Sequence, residues 1–269
     1  MVQSVVEQSN PMAGRVTSSV DAGVALVQLN RPDKLNALDV AMFEALVATG
    51  VQLIDRSDAS AVVLSGAGRA FCAGLDLAQF EAMRDGTSDV VVLGEALGAA
   101  RALAQKAVHV WSMVPVPVIA AIHGVAFGGG LQVALGADIR VVSPDARLSV
   151  MEIEWGLIPD MCGTQLLPEL VGRDVAKDLT FTGRKVNGEE AVSLGLATRL
   201  AADPTATARE LAAEIAQHSR TALCHAKHLL DRAGRVPLAA GLDAEQRAVA
   251  ELIGSDEQRA VVRRRASTR

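Results

Sequence analysis

Three acids, Glu152, Glu154 and Asp160, stand in the stretch VMEIEWGLIPD. Their neighbours Val150, Met151, Ile153, Trp155, Leu157 and Ile158 are apolar. A carboxyl held among apolar side chains has its pKa raised, because burial disfavours the charged form. Such a group suits proton transfer near neutral pH. If the segment is extended, Glu152 and Glu154 share a side. Asp160 follows a proline, where a loop or a helix start is expected. Any one such acid is ordinarily solvated at a surface; the apolar company sets these apart.

Two glycine loops offer the complementary chemistry. One is Cys72-Ala73-Gly74-Leu75-Asp76, and the other is Gly128-Gly129-Gly130 at an expected helix start. The first N–H groups of a helix lack intrahelical partners and carry positive partial charge. Two such donors converging on one oxygen would form an oxyanion hole. Tight turns between strand and helix explain the same glycines equally well. Gln132, two residues past the last glycine, is polar but cannot ionise.

Other chemistries lack their signatures. There is no GxxxxGK[ST] and no GxSxG, and GAGRAF lacks the third glycine of a dinucleotide loop. The five histidines show no HExxH spacing, and His225 and His228 read as helix surface, so no metal site is expected. Three cysteines without a CxxC pair point to a reducing compartment and no disulfide framework.

The positioning elements follow from local pattern. RVTSSV and VALVQLN flank the turn DAG as a hairpin. Asp39 is placed to cap a helix running to about Ile54, with AVVLSG (61–66) as a short apolar strand ending in glycine. A Gly-rich loop leads to a short helix, and a long Ala/Leu helix is expected over about 94–113. PVPVIAAIHG reads as a buried strand, followed by a loop and a helix to about Ala137, then strands at IRVVS and RLSV. Strand and helix alternate to about residue 200, the α/β pattern. Beyond it, Thr205–His218, Ala222–Ala233, Leu238–Ile253 and Asp256–Arg265 read as amphipathic helices. The domain reading is a flexible leader over 1–15, an α/β domain over 16–203 and a helical region over 204–269.

The chain has 269 residues, half of them hydrophobic, enough for a sizeable core. Aromatics are only 3% and the net charge is −5, which disfavours nucleic-acid and anionic-membrane binding. No secretory signal or 18-residue apolar run is present, so the expected location is cytoplasmic.

Five motifs, in order, resemble the crotonase family, the enoyl-CoA hydratase/isomerase superfamily. They are NRPDKLNAL, SGAGRAFCAGLDL, PVIAAIHGVAFGGGLQVALGADIRV, GLIPDMCGTQLLPELVG and FTGRKVNGEEAVSLGLATRL. The resemblance runs from about residue 16 to the C-terminus. It implies an α/β fold, a crotonase-like (ClpP/crotonase) spiral of ββα units with a C-terminal helical trimerisation region. It implies a homotrimer or a hexamer built as a dimer of trimers. The implied substrate is an acyl-CoA thioester, with no cofactor beyond the coenzyme A of the substrate and no metal.

By the same resemblance, the oxyanion hole maps to the backbone N–H groups of Leu75 and Gly129. Contacts to the CoA substrate map to Lys34, Leu35, Ala37, Leu38, Ala73, Gly74, Asp76, Leu77 and Gly128. A polarised thioester acidifies its α-carbon, and the enolate charge falls where two such N–H groups point. Typical hydratases of the family carry two glutamates; the second maps to Glu152, and the first maps to Gln132. Glutamine can hydrogen-bond a water but cannot take its proton.

Monofunctional enoyl-CoA isomerases of the family resemble this arrangement. Dienoyl-CoA isomerases add an acid that maps to Asp160, although they also keep one at the position of Gln132. The leading expectation is double-bond isomerisation with Glu152 and Asp160 as acid and base. The alternatives are an enoyl-CoA hydratase using Glu152 with Gln132 positioning water, and an acyl-CoA-binding protein with little catalysis. The run Arg263-Arg264-Arg265 reads as a solvated tail rather than a contact to CoA phosphate.

Overall fold

The computed structural model describes residues 14–88 and 90–266. A six-stranded sheet forms the frame, in the order β1-β2-β3-β6-β8-β11. Its strands are β1 (Val16–Asp21), β2 (Val24–Leu29), β3 (Ala61–Gly66), β6 (Val118–Ile122), β8 (Ile139–Val142) and β11 (Arg199–Leu200). The β1–β2 hairpin is antiparallel and every other neighbouring pair is parallel. A second sheet has the order β10-β9-β7, from β7 (Val125–Phe127), β9 (Arg147–Ser149) and β10 (Val186–Asn187).

Side-chain alternation divides the sheet between two cores. Val62, Leu64, Val118, Ala120 and Ile122 join the larger core. It also holds α1 (Val40–Ile54) and α3 (Leu103–Met113) residues such as Phe43 and Trp111. Ala61, Val63, Ile119 and Ala121 face the other way, against Ala208, Leu211 and Ala212 of α8 (Pro204–Ala216). Strands buried on both faces read as unbroken apolar runs, as AVVLSG and PVIAAI do. Asp39 caps α1, its carboxylate accepting from the Met42 N–H at 2.8 Å.

The chain advances as a spiral. After β3, Cys72 bridges to Ala126 of β7, and α2 (Leu77–Arg84) follows. After β6 come β7 and α4 (Gly129–Leu135), and after β8 come β9 and α5 (Gly163–Val171). Each turn is thus a strand of the frame, an extended segment of the second layer, and a helix. Next come α6 (Arg173–Thr182), α7 (Gly188–Ser193), β11, α8, α9 (Arg220–Arg232), α10 (Leu238–Leu252) and α11 (Asp256–Ala266). This is the α/β crotonase-like spiral with helices at its C-terminal end.

Helix α8 packs directly on the sheet, and α9 is anchored by a buried lysine. The Lys227 ammonium lies 2.8 Å from the Asp138 carboxylate and donates to the carbonyls of Trp111 and Val116.

Two expectations differ from what forms. The helix expected over 94–113 is helical only from Leu103. A hairpin precedes it, of β4 (Leu93–Leu97) and β5 (Ala100–Ala102). Gly98, at φ +55°, makes the turn, and the His109 ring accepts the Ala99 N–H at 3.2 Å. Residues 125–127 form β7 rather than a loop. Of the leader expected over 1–15, residues 1–13 lie outside the described residues. Arg15 is pinned to Asp39 at 2.8 Å. No helix among the described residues is long and apolar enough to cross a membrane.

Candidate active site

The second layer brings the two glycine loops side by side. The Cys72 N–H donates to Val125 and the Phe127 N–H donates to Cys72. The chain leaving Cys72 therefore runs next to the chain leaving Phe127. Gly74 (φ +93°) must be glycine: a Cβ there would sit 2.6 Å from the Phe127 carbonyl oxygen. Gly128 adopts φ +49°, ψ −123°, and places Gly129 as the first residue of α4. The Leu38 N–H donates to Gly74 and the Asp76 N–H donates to Leu38, bracketing Leu75. Among the described residues, the N–H groups of Leu75 and Gly129 donate to no protein acceptor. Both residues line one cavity of about 270 Å³.

That cavity also holds Glu152 and Asp160. Phe43, Met83, Val90 and Ala104 give it apolar walls. Phe80 and Trp155 stack with ring centroids 4.2 Å apart and form part of its side. Glu152 is 8% exposed. Burial pushes its pKa up to about 6, and the nearby Asp160 charge adds to the rise, against the lowering hydrogen bonds from its own backbone and Gln132. Asp160 keeps solvent contact, yet the surrounding protein raises its pKa as well.

Gln132 has a fixed orientation. Its amide oxygen accepts the N–H groups of Met161 and Gly163, each at 2.9 Å. Only the NH₂ end can then face Glu152, and it donates to Oε1 at 2.5 Å. The other oxygen, Oε2, is buried without a hydrogen-bond partner. Gly128 and Gly163 leave room for this pair: a Cβ on Gly128 would meet Oε1 of Glu152 at 3.3 Å, and one on Gly163 would meet Oε1 of Gln132 at 2.6 Å.

The candidate residues divide as follows. Leu75, Gly129, Glu152 and Asp160 share the cavity, with Ala73, Gly74, Leu77 and Gly128 in its walls. Gln132 stands behind Glu152. Lys34, Leu35, Ala37 and Asp76 lie outside the cavity lining, on the loops beside it. The Asp76 carboxylate is held by Arg31 at 2.5 Å and caps α2 through the Ala78 N–H. Leu38 lies beneath the first loop and not in the cavity lining: its side chain is fully buried, and its N–H and C=O hold Gly74 and Asp76. Glu152 and Glu154 do not share a side either. Residues 152–155 form a 3-10 turn, which buries Glu152 and leaves Glu154 exposed.

Sequence reasoning missed Asn36, which is fully buried. Its Nδ2 donates to the carbonyls of Ala67, Ala70 and Phe71. Its Oδ1 accepts the Arg31 N–H at 2.8 Å. These bonds fasten the NRPDKLNAL loop beneath the first glycine loop. An amide set among Leu35, Ala37 and Leu38 was the available signal. Cys72, also buried, has its thiol pushed up to about 12 by desolvation, so it stays protonated.

Chemically, the cavity offers two free backbone donors, one buried base with a bare oxygen, and a second carboxyl nearby. Known proteins share its framework. The enoyl-CoA hydratase/isomerase family model matches residues 19–265. The short-chain-enoyl-CoA hydratase of Clostridium acetobutylicum is 32% identical over 240 residues, covering 88% of each chain. The mitochondrial Delta(3,5)-Delta(2,4)-dienoyl-CoA isomerase of Mus musculus is 37% identical over 212 residues, 77% of this chain and 65% of that one. An enoyl-CoA hydratase structure from Bacillus anthracis superposes with a TM-score of 0.84 at 30% identity, covering 95% and 97% of the two chains. The chain belongs to the enoyl-CoA hydratase/isomerase family of acyl-CoA enzymes.

Proposed function

We propose that the chain is an acyl-CoA double-bond isomerase. The thioester oxygen accepts the N–H groups of Leu75 and Gly129, which stabilise the enolate as its charge develops. Glu152 Oε2 removes the proton at C2 of a 3-enoyl thioester. The electron pair shifts through the chain, and the same carboxyl returns a proton at C4. Asp160 serves as the partner acid or base where the substrate is a 3,5-diene. The CoA portion follows Lys34, Leu35 and Ala37 and the rim at Ala73, Asp76 and Leu77. No cofactor is needed beyond the coenzyme A of the substrate.

The fixed Gln132 amide carries this reading. Its oxygen is occupied by two backbone donors, so it has no acceptor left to hold a water. A hydratase that needs two groups to align water would lack one. The second reading, hydration with Glu152 alone, rests on Oε2, which has no hydrogen-bond partner in the protein and so has its lone pairs unused. The test is turnover of a 3-enoyl-CoA in deuterium oxide. A single shuttling base returns part of the original proton, giving less than one deuterium per product. Hydration of crotonyl-CoA without any double-bond shift would overturn the proposal.

We also propose that the protein works as a trimer or a dimer of trimers in the cytoplasm. The motive for the oligomer is apolar surface on α9, on α10 and at the residue that ends α10: Leu230, Leu238 and Ile253 are each at least 70% exposed. Sedimentation at micromolar concentration is expected to give a trimer or hexamer, and Leu238→Asp should shift it toward monomer. A monomeric wild type would contradict this.

A further inference from the structure

The cavity that holds Glu152 continues past Asp160. A second cavity of about 410 Å³ adjoins it. Met83, Val91, Leu157 and Asp160 wall both, while Ser88 and Ile158 line only the second. With a thioester oxygen at Leu75 and Gly129, the carbons nearest it lie beside Glu152. Carbons farther along the chain then face Asp160 and the shared wall.

Apart from Asp160, that wall is apolar and incompletely covered. Val91 is 46%, Leu157 37% and Ile158 63% exposed. Large apolar side chains grouped around a cavity favour an apolar occupant. We propose that the protein takes straight-chain acyl groups long enough to run past Asp160 into this second cavity, so that its substrates are medium- to long-chain fatty acyl thioesters. This rests on the acyl-CoA reading of the first cavity.

Beyond Asp160, one further polar side chain opposes an alkyl chain there. The Ser88 hydroxyl is buried with no hydrogen-bond partner. An alkyl chain leaves it unpaired, whereas an acyl group with a distal hydroxyl would satisfy it. The two occupants therefore predict opposite signs for Ser88→Ala.

The experiment measures binding of saturated, unreactive acyl-CoA thioesters of four, eight, twelve and sixteen carbons to the full chain by calorimetry. Affinity is expected to rise by about fourfold per added methylene up to roughly twelve carbons. Ile158→Trp and Ser88→Phe, which fill the second cavity, should weaken the twelve-carbon thioester about tenfold or more and leave the four-carbon one unchanged. Ser88→Ala should tighten the twelve-carbon thioester by about two- to fivefold, because it removes an unpaired hydroxyl from the path of the chain. Equal affinity at four and twelve carbons would overturn the inference alone. So would filling variants that weaken both thioesters alike or neither, or a Ser88→Ala variant that binds the long chain less tightly. Failure of every thioester to bind would overturn the acyl-CoA reading itself.

Discussion

Glu152→Gln is expected to lower kcat/KM for double-bond shift by about a hundred- to ten-thousandfold, the usual contribution of a positioned general base. The same substitution should stabilise the fold at neutral pH. Glu152 titrates at about 6 in the folded chain against 4.5 for an ordinary glutamate, chiefly because burial disfavours its charge. A carboxyl with a raised folded pKa is held more tightly as the neutral acid. Its contribution is most favourable below about pH 4.5, declines as pH rises to about 6, and stays unfavourable above, by roughly 2 kcal/mol. Glutamine is neutral throughout and can still accept the Gln132 N–H. The variant should therefore gain stability above pH 6 and gain little below pH 4.5. Urea unfolding at pH 4.5 and pH 8 checks this, and equal effects at the two pH values would refute it. A merely structural glutamate would lose stability along with activity.

Gln132→Glu should separate isomerisation from hydration. In the natural chain, kcat/KM should fall as pH drops through about 6, when Glu152 takes up its proton. A carboxylate at 132 would inherit the N–H groups of Met161 and Gly163, which favour its charged form. It would also remove the donor now held by Glu152 and put a like charge beside it. The acid limb of the pH profile should move to about pH 7 or higher. Isomerisation at pH 6 should fall about tenfold, and hydration of crotonyl-CoA should rise, because two carboxylates can then share a water. An acid limb that stays near 6, with hydration unchanged, would show that Gln132 does not control Glu152.

The sequence made local chemistry legible. The turn DAG, the Asp39 cap and the apolar run of β3 are each decided by neighbours in the chain, and they formed as expected. The glycine loops were visible, but not what their N–H groups do; adjacency of Cys72 and Phe127 is a tertiary fact. The 94–113 segment misled because alanine and leucine suit a helix, while the left-handed Gly98 and the distant grip of His109 settled a hairpin. Glu152 and Glu154 parted company because the backbone tightens into a 3-10 turn, a choice that alternation of residue types does not reveal. The orientation of Gln132 depends on N–H groups 29 and 31 residues away. Asn36 likewise depends on carbonyls more than thirty residues on.

The most direct test of Glu152 as the single base beside a fixed glutamine is a matched set of 2-enoyl, 3-enoyl and 3,5-dienoyl-CoA thioesters of one chain length. The predicted result is a kcat/KM for double-bond shift of the 3-enoyl or 3,5-dienoyl substrate about a hundredfold above that for hydration of the 2-enoyl one. Hydration of the 2-enoyl thioester as fast as, or faster than, either shift would contradict it.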